Sequence, residues 1–438
     1  MRETREKVEK KKRESLAAVH TSSFNKQIKN EVAITLVALV VTIIVLILLA
    51  GVSISLVIGN NGIMQKAAKG REDYTGATIN EQQDLNKIED YIEDNTSNKG
   101  EVEKYRKSGK YFESPTTVED TNGNLIKVPK GFKIAADSGL NVTEGIVIED
   151  NDIKEGIGNN RGNQYVWVPV GNGIKKSDGT TVNITLGRYT FANGTSDKDT
   201  NENVLAKGTP ILKQAAVNYT QEVEITYNSY KYKELSTSRV GKVDSSNNLN
   251  DTNTTALNLK GFVDSVKANE GYYIARYEAS YGTDGKANSK VSNTYATSAP
   301  NKEGQLWNCI TQINAATASR NLYNTVNSDL INSYAWDTAI VYIQNFSGDT
   351  DYSKQNSLNK SLANTGVNSD EKCKINDMAS NTIEWTTEYC TRASSSVAVP
   401  GTSRGGRYST SSFYTDGRYD GFATSSHNSV SFRCALYM

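Results

Sequence analysis

The residue types best suited to chemistry in this sequence are cysteine and histidine, and both are sparse. The two histidines of the 438-residue chain are His20 and His427. Four cysteines lie in the C-terminal third, at Cys309, Cys373, Cys390 and Cys434. Thiolates can act as nucleophiles, redox centres or metal ligands, but no two of these cysteines are spaced C-x-x-C. Outside a cell they can form disulfides or remain buried thiols, and the sequence leaves both alternatives open.

Other chemical motifs are missing from the sequence. It contains no phosphate-binding G-x-x-x-x-G-K-[ST] loop, no H-E-x-x-H helix and no complete calcium loop. The D-T-N-G sequence at residues 120–123 is more typical of a hairpin turn than of a cation site. A structural calcium ion needs no contiguous motif and stays compatible with the sequence. We otherwise predict no cofactor.

A segment near the C-terminus, residues 408–428, combines the side chains that binding loops favour; we refer to it as the C-terminal segment. Tyrosine offers a large contact area at low conformational cost, while Ser, Asn and Gly adapt their hydrogen bonds. The alternative is a set of ordinary turn residues in a Tyr-rich protein. The predicted binding surface comprises Tyr408, Ser411, Phe413, Tyr414, Asp416, Arg418, Tyr419, Asp420, His427 and Asn428.

An apolar stretch organises the rest of the chain. Residues 34–58 carry no charge, and as a helix they would reach roughly 37 Å, enough to cross a bilayer. The preceding residues 1–33 hold nine basic and five acidic side chains, a net charge of +4. Positive charge beside a span stays in the cytoplasm, so we predict a single-pass cell-membrane protein with a cytoplasmic N-terminus and an extracellular C-terminal domain. The interleaved glutamates favour lipid over nucleic acid as the partner of the basic leader.

The remaining pattern predicts a helical stalk over residues 59–100 and an α+β domain over residues 101–438. Alternating apolar and polar residues indicate strands, among them a terminal strand in SFRCALYM. Helical periodicity appears in Leu257–Asn269 and in residues 328–346. An insertion at about residues 172–255 is sparse in large apolar residues. We predict that it forms long loops with a few exposed strands, around LGRYTFA and EVEITY, outside the core.

The apolar stretch and its flanks resemble the N-terminal region of type IV prepilins and pseudopilins, in the form common in Gram-positive bacteria. The match is Ala33 before Ile34, Thr35 and Leu36, followed by AGVSISLVIGNNGIMQKA. It implies cleavage between Ala33 and Ile34 by a prepilin peptidase, methylation of Ile34, and other pilin subunits as partners. The fifth mature position, usually Glu in filament-forming pilins, is Ala38, which removes an assembly contact of that family. An uncleaved signal anchor is the alternative.

Five sequence words in order, YVWVPVG, YYIARYEAS, NDMASNTIEWTTE, SRGGRY and SFRCALY, resemble the formylglycine-generating enzyme (sulfatase-modifying factor) family. The resemblance covers residues 126–438 around the insertion and implies a variant of the C-type lectin fold. We expect its tryptophans to fill the core, its glycines to allow unusual backbone angles or close approach, and Arg433 to pair with Glu384. The expected structural residues are Trp167, Glu384, Trp385, Arg404, Gly405, Gly406 and Arg433.

The resemblance does not extend to the family's catalytic groups. Members that oxidise a substrate cysteine use two cysteines after the Arg-Gly-Gly motif, whereas residues 407–428 contain none. Relatives that use iron bind it through several histidines, and His427 is the one histidine beyond the apolar stretch. We therefore expect no catalytic residues and no histidine-bound metal. Cys390 and Cys434 are candidates for a disulfide between neighbouring strands.

These observations predict a pilin-like surface protein that displays a non-catalytic, lectin-like domain. Its partners would be the membrane and a protein or glycan ligand. Three alternatives remain. They are a surface receptor whose C-terminal segment is diversified by a retroelement, a minor pilin or structural pilus component, and an enzyme of the formylglycine-generating family with a non-standard site.

Overall fold

The chain divides into two units, Met1–Ile92 and Glu93–Met438. In the first unit, residues 39–48 are helical and exposed. None of the helices among the described residues is both long enough and apolar enough to cross a bilayer. The sites predicted at Ala33, Ile34 and Ala38, and the predicted stalk except for Gly100, lie outside the described residues. The computed structural model describes residues 39–48, 100–151, 162–236, 240–242, 248–250, 256–295, 297–356, 361–367, 370–391 and 401–438.

The second unit is α+β, as predicted, with mainly antiparallel sheets and few helices. Asparagine caps begin two of the helices, because Asn258 Oδ1 accepts from Gly261 N and Asn332 Oδ1 accepts from Ala335 N. The helix expected from residue 328 therefore begins at Ser333, after a short strand. The helices are α1 (Glu101–Ser108), α2 (Leu259–Asn269), α3 (Gln312–Ser319) and α4 (Ser333–Phe346).

Short strands make up most of the regular structure of this unit. The described strands are β1 (Thr116–Glu119), β2 (Leu125–Val128), β3 (Phe132–Ile134), β4 (Val147–Asp150), β5 (Gln164–Pro169), β6 (Gly171–Lys175), β7 (Thr181–Ile184), β8 (Gly187–Phe191), β9 (Pro210–Ala215), β10 (Ile225–Tyr227), β11 (Tyr230–Lys233), β12 (Val240–Lys242), β13 (Asn248–Asn250), β14 (Gly271–Ala275), β15 (Asn327–Leu330), β16 (Ile383–Thr391), β17 (Gly401–Arg404), β18 (Arg418–Gly421), β19 (Val430–Phe432) and β20 (Cys434–Tyr437).

Two six-stranded sheets form the framework of the second unit. Sheet I has the order β15-β20-β14-β5-β4-β3, and its pairs are antiparallel. Sheet II has the order β10-β11-β16-β17-β18, with β19 added parallel to β16. The chain passes from sheet II to sheet I at Arg433, between β19 and β20. The C-terminus is thus held inside a sheet, as the terminal strand pattern predicted.

The insertion is more ordered and more buried than its composition predicted. It holds most of β6 and all of β7 to β13, and β10 and β11 extend sheet II by pairing β11 with β16. Arg188 and Glu234 are fully buried, and so is Tyr232. The prediction of exposed strands outside the core was therefore wrong for β8, which has four buried residues out of five, whereas most residues of β7, β9, β10 and β11 are exposed or partly exposed. Composition misled it because the insertion contributes buried polar side chains that tertiary partners satisfy.

The expected core residues lie where the motifs placed them. Trp167 and Trp385 are 1% and 3% exposed. Gly405 has φ +97°, a backbone conformation that residues with a side chain rarely adopt. A Cβ on Gly406 would lie 1.9 Å from the carbonyl oxygen of Ala379. These glycines therefore serve backbone geometry and close approach, as predicted. The D-T-N-G sequence at residues 120–123 forms the turn between β1 and β2.

The disulfide predicted between Cys390 and Cys434 is not formed. Cys390 lies in β16 of sheet II and Cys434 in β20 of sheet I, and both are buried thiols. The two strands are not neighbours, so the sulfurs are not brought together. Burial raises the pKa of Cys434 to about 12, which favours the neutral thiol.

Candidate functional site

A cleft of about 580 Å³ opens between the insertion and the C-terminal segment. This volume lies within the usual range for small-ligand sites. The insertion supplies residues from β8, β9 and β10 and from the neighbouring loops. The C-terminal segment supplies the loop before β18 and the first residue of β18, and Lys354 comes from a short 3₁₀ helix. The lining residues are Thr190, Phe191, Asn193, Asp197, Lys213, Glu224, Ile225, Thr226, Tyr227, Asn228, Lys354, Ser412, Tyr414, Asp416 and Arg418.

The loop of the C-terminal segment is fixed against a short 3₁₀ helix, Tyr352–Lys354, and the residues after it. Asn356 Nδ2 donates to the carbonyl oxygen of Ser411 at 2.7 Å, and Asn356 forms a β-bridge with Tyr414. The backbone N–H of Asp416 donates to the carbonyl oxygen of Ser353 at 3.0 Å. These contacts hold one wall of the cleft in place.

A buried ion pair lies beside this wall. Lys354 Nζ is 2.6 Å from Asp416 Oδ2, and the two side chains are 8% and 3% exposed. The second carboxylate oxygen, Asp416 Oδ1, is buried and accepts no hydrogen bond from any described residue. Burial raises the pKa of Asp416, although Lys354 opposes this effect. A buried acceptor without a donor is costly, so this oxygen is suited to a donor from outside the protein.

An ion network lies directly behind the cleft. Arg418 Nη2 is 2.6 Å from Asp337 Oδ2, and Arg418 Nε is 3.1 Å from Glu388 Oε1. Arg404 contacts the same two carboxylates, and Arg188 Nη2 lies 2.7 Å from Glu388 Oε1. Burial alone would raise the pKa of Glu388, but the three arginines together lower it to about 2. Glu388 therefore stays ionised at neutral pH.

Aromatic rings support the same region. Tyr227 meets Tyr419 edge-on, with ring centroids 6.2 Å apart, and Phe413 packs on Tyr419 at 4.1 Å. The hydroxyl of Tyr419 accepts a hydrogen bond from the backbone N–H of Tyr414 at 2.8 Å. Burial raises the pKa of Tyr227 to about 12, and Asp416 adds to this effect. Tyr227 therefore presents a neutral hydroxyl at neutral pH.

No family model, curated protein or solved structure matches this chain. The chemistry of the cleft therefore has to follow from its own side chains.

The predicted binding residues do not form one surface. Tyr414, Asp416 and Arg418 line the cleft, whereas Phe413 and Tyr419 pack in the aromatic group beside it. Asp416 and Arg418 are buried and ion-paired, which corrects their expected role as exposed contact residues. Ser411 and His427 are exposed, Tyr408, Asp420 and Asn428 are partly buried, and none of these five lines the cleft.

The sequence interpretation missed the opposite wall and Lys354. Phe191 and Tyr227 belong to the strands that the segments LGRYTFA and EVEITY predicted, so the sequence did indicate their local structure. No sequence signal indicated that these strands lie close to the C-terminal segment, because this proximity depends on contacts between distant parts of the chain. Lys354 lies on a 3₁₀ turn without a recognisable motif.

A second buried group of acids lies around Arg433, and none of its members lines the cleft. Glu278 accepts hydrogen bonds from Asn381 and Thr382, and burial raises its pKa well above the ordinary value. Asp370 accepts from Ser380, and its pKa rises to about 6 through burial. Within the described ranges, no group of three or more His, Cys, Asp or Glu residues is arranged to hold a metal ion.

Proposed function

We propose that this chain is a membrane-anchored, pilin-like bacterial surface protein whose lectin-like domain binds a ligand in the cleft and does not catalyse a reaction. The cleft is the observation that carries this proposal. Its walls come from the insertion and the C-terminal segment, and buried ion pairs hold its base. A site so fixed is preorganised, which lowers the entropy cost of binding.

The helical residues 39–48 support the anchor. Nine of these ten residues are large and apolar, and each of the nine is between 42% and 63% exposed. A helix that is apolar on every side requires an apolar environment, which a bilayer or neighbouring apolar helices provide. The leader with its net charge of +4 supports a cytoplasmic N-terminus.

The placement of the five sequence words supports a lectin-like domain. YVWVPVG forms β5, YYIARYEAS contains most of β14, and NDMASNTIEWTTE runs into β16. SRGGRY ends β17, and SFRCALY joins β19 to β20. The words thus supply central strands of both sheets, which is where a family would keep residues that define its fold.

The state of the thiols supports a binding role over cysteine oxidation. Burial raises the pKa of Cys373 to about 12, and it also raises the pKa of the partly exposed Cys309. Thiolates are the reactive species, so these cysteines are poor nucleophiles. The residues that line the cleft include neither cysteine nor histidine.

Display at the surface can be tested with the full-length chain produced in a Gram-positive host that has a prepilin peptidase. We expect protease added to intact cells to remove the Glu93–Met438 unit, and mass spectrometry of the membrane fraction to find a chain that begins at Ile34. If the added protease leaves this unit in place on intact cells, and the leader too is lost only after lysis, the unit is not displayed at the surface and the proposal is wrong. An intact leader on a protease-sensitive chain would instead support the signal anchor.

A further inference from the structure

We infer that the ligand of the cleft is a neutral carbohydrate, bound by hydroxyl-to-protein hydrogen bonds and by packing on aromatic rings. This inference rests on the proposed function, because it names the chemical class that the same cleft would bind. It follows from three properties of the described lining: its charge balance, its mixture of polar and aromatic groups, and one buried carboxylate oxygen.

The charges of the lining favour a neutral ligand. Three acidic and three basic side chains line the cleft, and four of the six already have ionic partners within the protein. Lys354 pairs with Asp416, Arg418 with Asp337, and Glu224 with Lys231. A strongly charged ligand would meet like charge as well as opposite charge, and like charge is unfavourable at close range.

The remaining lining suits a ligand that has hydroxyl groups beside apolar C–H faces. Asn193, Asn228 and Ser412 offer both hydrogen-bond donors and acceptors, and Thr190 and Thr226 add hydroxyl groups. A purely apolar ligand would leave these groups without partners, which costs free energy.

Two partly exposed aromatic side chains, Tyr227 and Tyr414, supply flat apolar surface in the same cleft, and the buried Phe191 lies in the lining beside them. A pyranose ring has a C–H face that can pack on such a surface and hydroxyl groups around its edge. The lining therefore matches both parts of a sugar.

Asp416 supplies a specific anchor. Its Oδ1 atom is buried without a hydrogen-bond donor among the described residues, while Oδ2 is occupied by Lys354. Because Asp416 is 2% exposed, a hydroxyl group of the ligand donates to this oxygen only after a small movement of the side chain or its neighbours exposes it. Hydrogen bonds to an ionised acceptor are stronger than neutral ones. A ligand ammonium group is disfavoured here because Lys354 and Lys213 also lie at the cleft.

The inference can be tested with the purified full-length chain, kept in a detergent without a sugar headgroup. The probes are a printed array of neutral oligosaccharides, sialylated and sulfated oligosaccharides, and acidic, basic and neutral peptides. We compare the wild type with Tyr414→Ala and Asp416→Asn. Phe422→Ala is the matched control, because Phe422 is 38% exposed and does not line the cleft. Thermal melting establishes that each variant is folded.

We expect retention on neutral oligosaccharides, weakened about tenfold or more in Tyr414→Ala and Asp416→Asn and unchanged in Phe422→Ala. If Asp416→Asn fails to fold, Tyr414→Ala decides the question alone. Retention only on charged glycans or peptides, lost in the cleft variants, would overturn the carbohydrate assignment and leave the proposed binding function intact. Binding that Tyr414→Ala does not change, or no binding to any probe, would count against the cleft as the binding site.

Discussion

Arg433 and Glu384 form a fully buried ion pair that connects the two sheets. Arg433 Nε is 2.6 Å from Glu384 Oε2, and both side chains are completely buried. Glu384 lies in β16 of sheet II, whereas Arg433 also donates to the carbonyl oxygen of Ala275 in β14 of sheet I. The guanidinium group thus satisfies acceptors from both sheets at the point where the chain passes between them.

Removing one partner of this pair is expected to be strongly destabilising. Arg433→Met leaves the Glu384 carboxylate buried without its counter-charge, so we expect the free energy of unfolding to fall by about 3–5 kcal/mol. The double variant Arg433→Met/Glu384→Gln should recover part of this loss, because it buries no unpaired charge. Urea denaturation of the three proteins measures the effect. Equal stability of the single and double variants would show that the ion pair is not the cause.

Gly406→Ala tests close approach separately from backbone conformation. The new methyl group would collide with the backbone of Ala379, so we expect a loss of about 3 kcal/mol, the upper end of the usual cost of overpacking. Gly109 is the matched control, because it has φ +60° and open space around it. Gly109→Ala should cost only about 1–2 kcal/mol, the cost of a left-handed conformation. Thermal denaturation distinguishes the two, and similar losses would contradict the packing explanation.

Glu234 is expected to make stability depend on pH. It accepts hydrogen bonds from the backbone N–H and hydroxyl of Ser333 and from Thr387, and burial raises its pKa from 4.5 to about 7. The charged groups that act on it are Glu388, which also raises its pKa, and Arg188, which lowers it.

Between about pH 4.5 and pH 7 the folded state holds a proton on Glu234 that the unfolded state has lost. The free energy of unfolding should therefore fall as pH rises through this window, by on the order of 3 kcal/mol from this group. Glu234→Gln should remove that part of the slope, and Glu222→Gln, at an exposed position, should not. Urea midpoints at pH 5 and pH 8 give the comparison. Parallel slopes for the wild type and Glu234→Gln would contradict the assignment.

The thiols are expected to differ in reactivity. Cys309 is partly exposed, whereas Cys373, Cys390 and Cys434 are buried. Under native conditions a thiol-specific reagent should modify Cys309 first, and the buried thiols should react only after unfolding. Intact mass under non-reducing conditions should correspond to the fully reduced protein. A Cys390–Cys434 disulfide in the peptide map would contradict the arrangement of the two sheets.

Local periodicity in the sequence was sufficient to predict several helices and strands. The pattern of Leu257–Asn269 predicted α2, and the terminal strand and the burial of Trp167 and Trp385 were also predicted correctly. The pairing of Arg433 with Glu384 was expected for two charged residues of the five sequence words, and the structure forms it as a buried pair. These features depend on short-range pattern or on the high cost of burying a lone charge.

Only the tertiary structure produced the cleft. Arg188 and Glu388 are 200 residues apart in sequence, yet their ion pair joins β8 of the insertion to β16 of sheet II. The insertion has few large apolar residues, so its composition resembled that of exposed loops. Apolar side chains such as Ile184, Leu186 and Phe191 pack into the core, and buried hydrogen bonds and ion pairs complete the order. These polar contacts leave no periodic trace because each depends on a distant partner. The sequence therefore predicted strands and several cleft residues, while the fold decided which of them face one another.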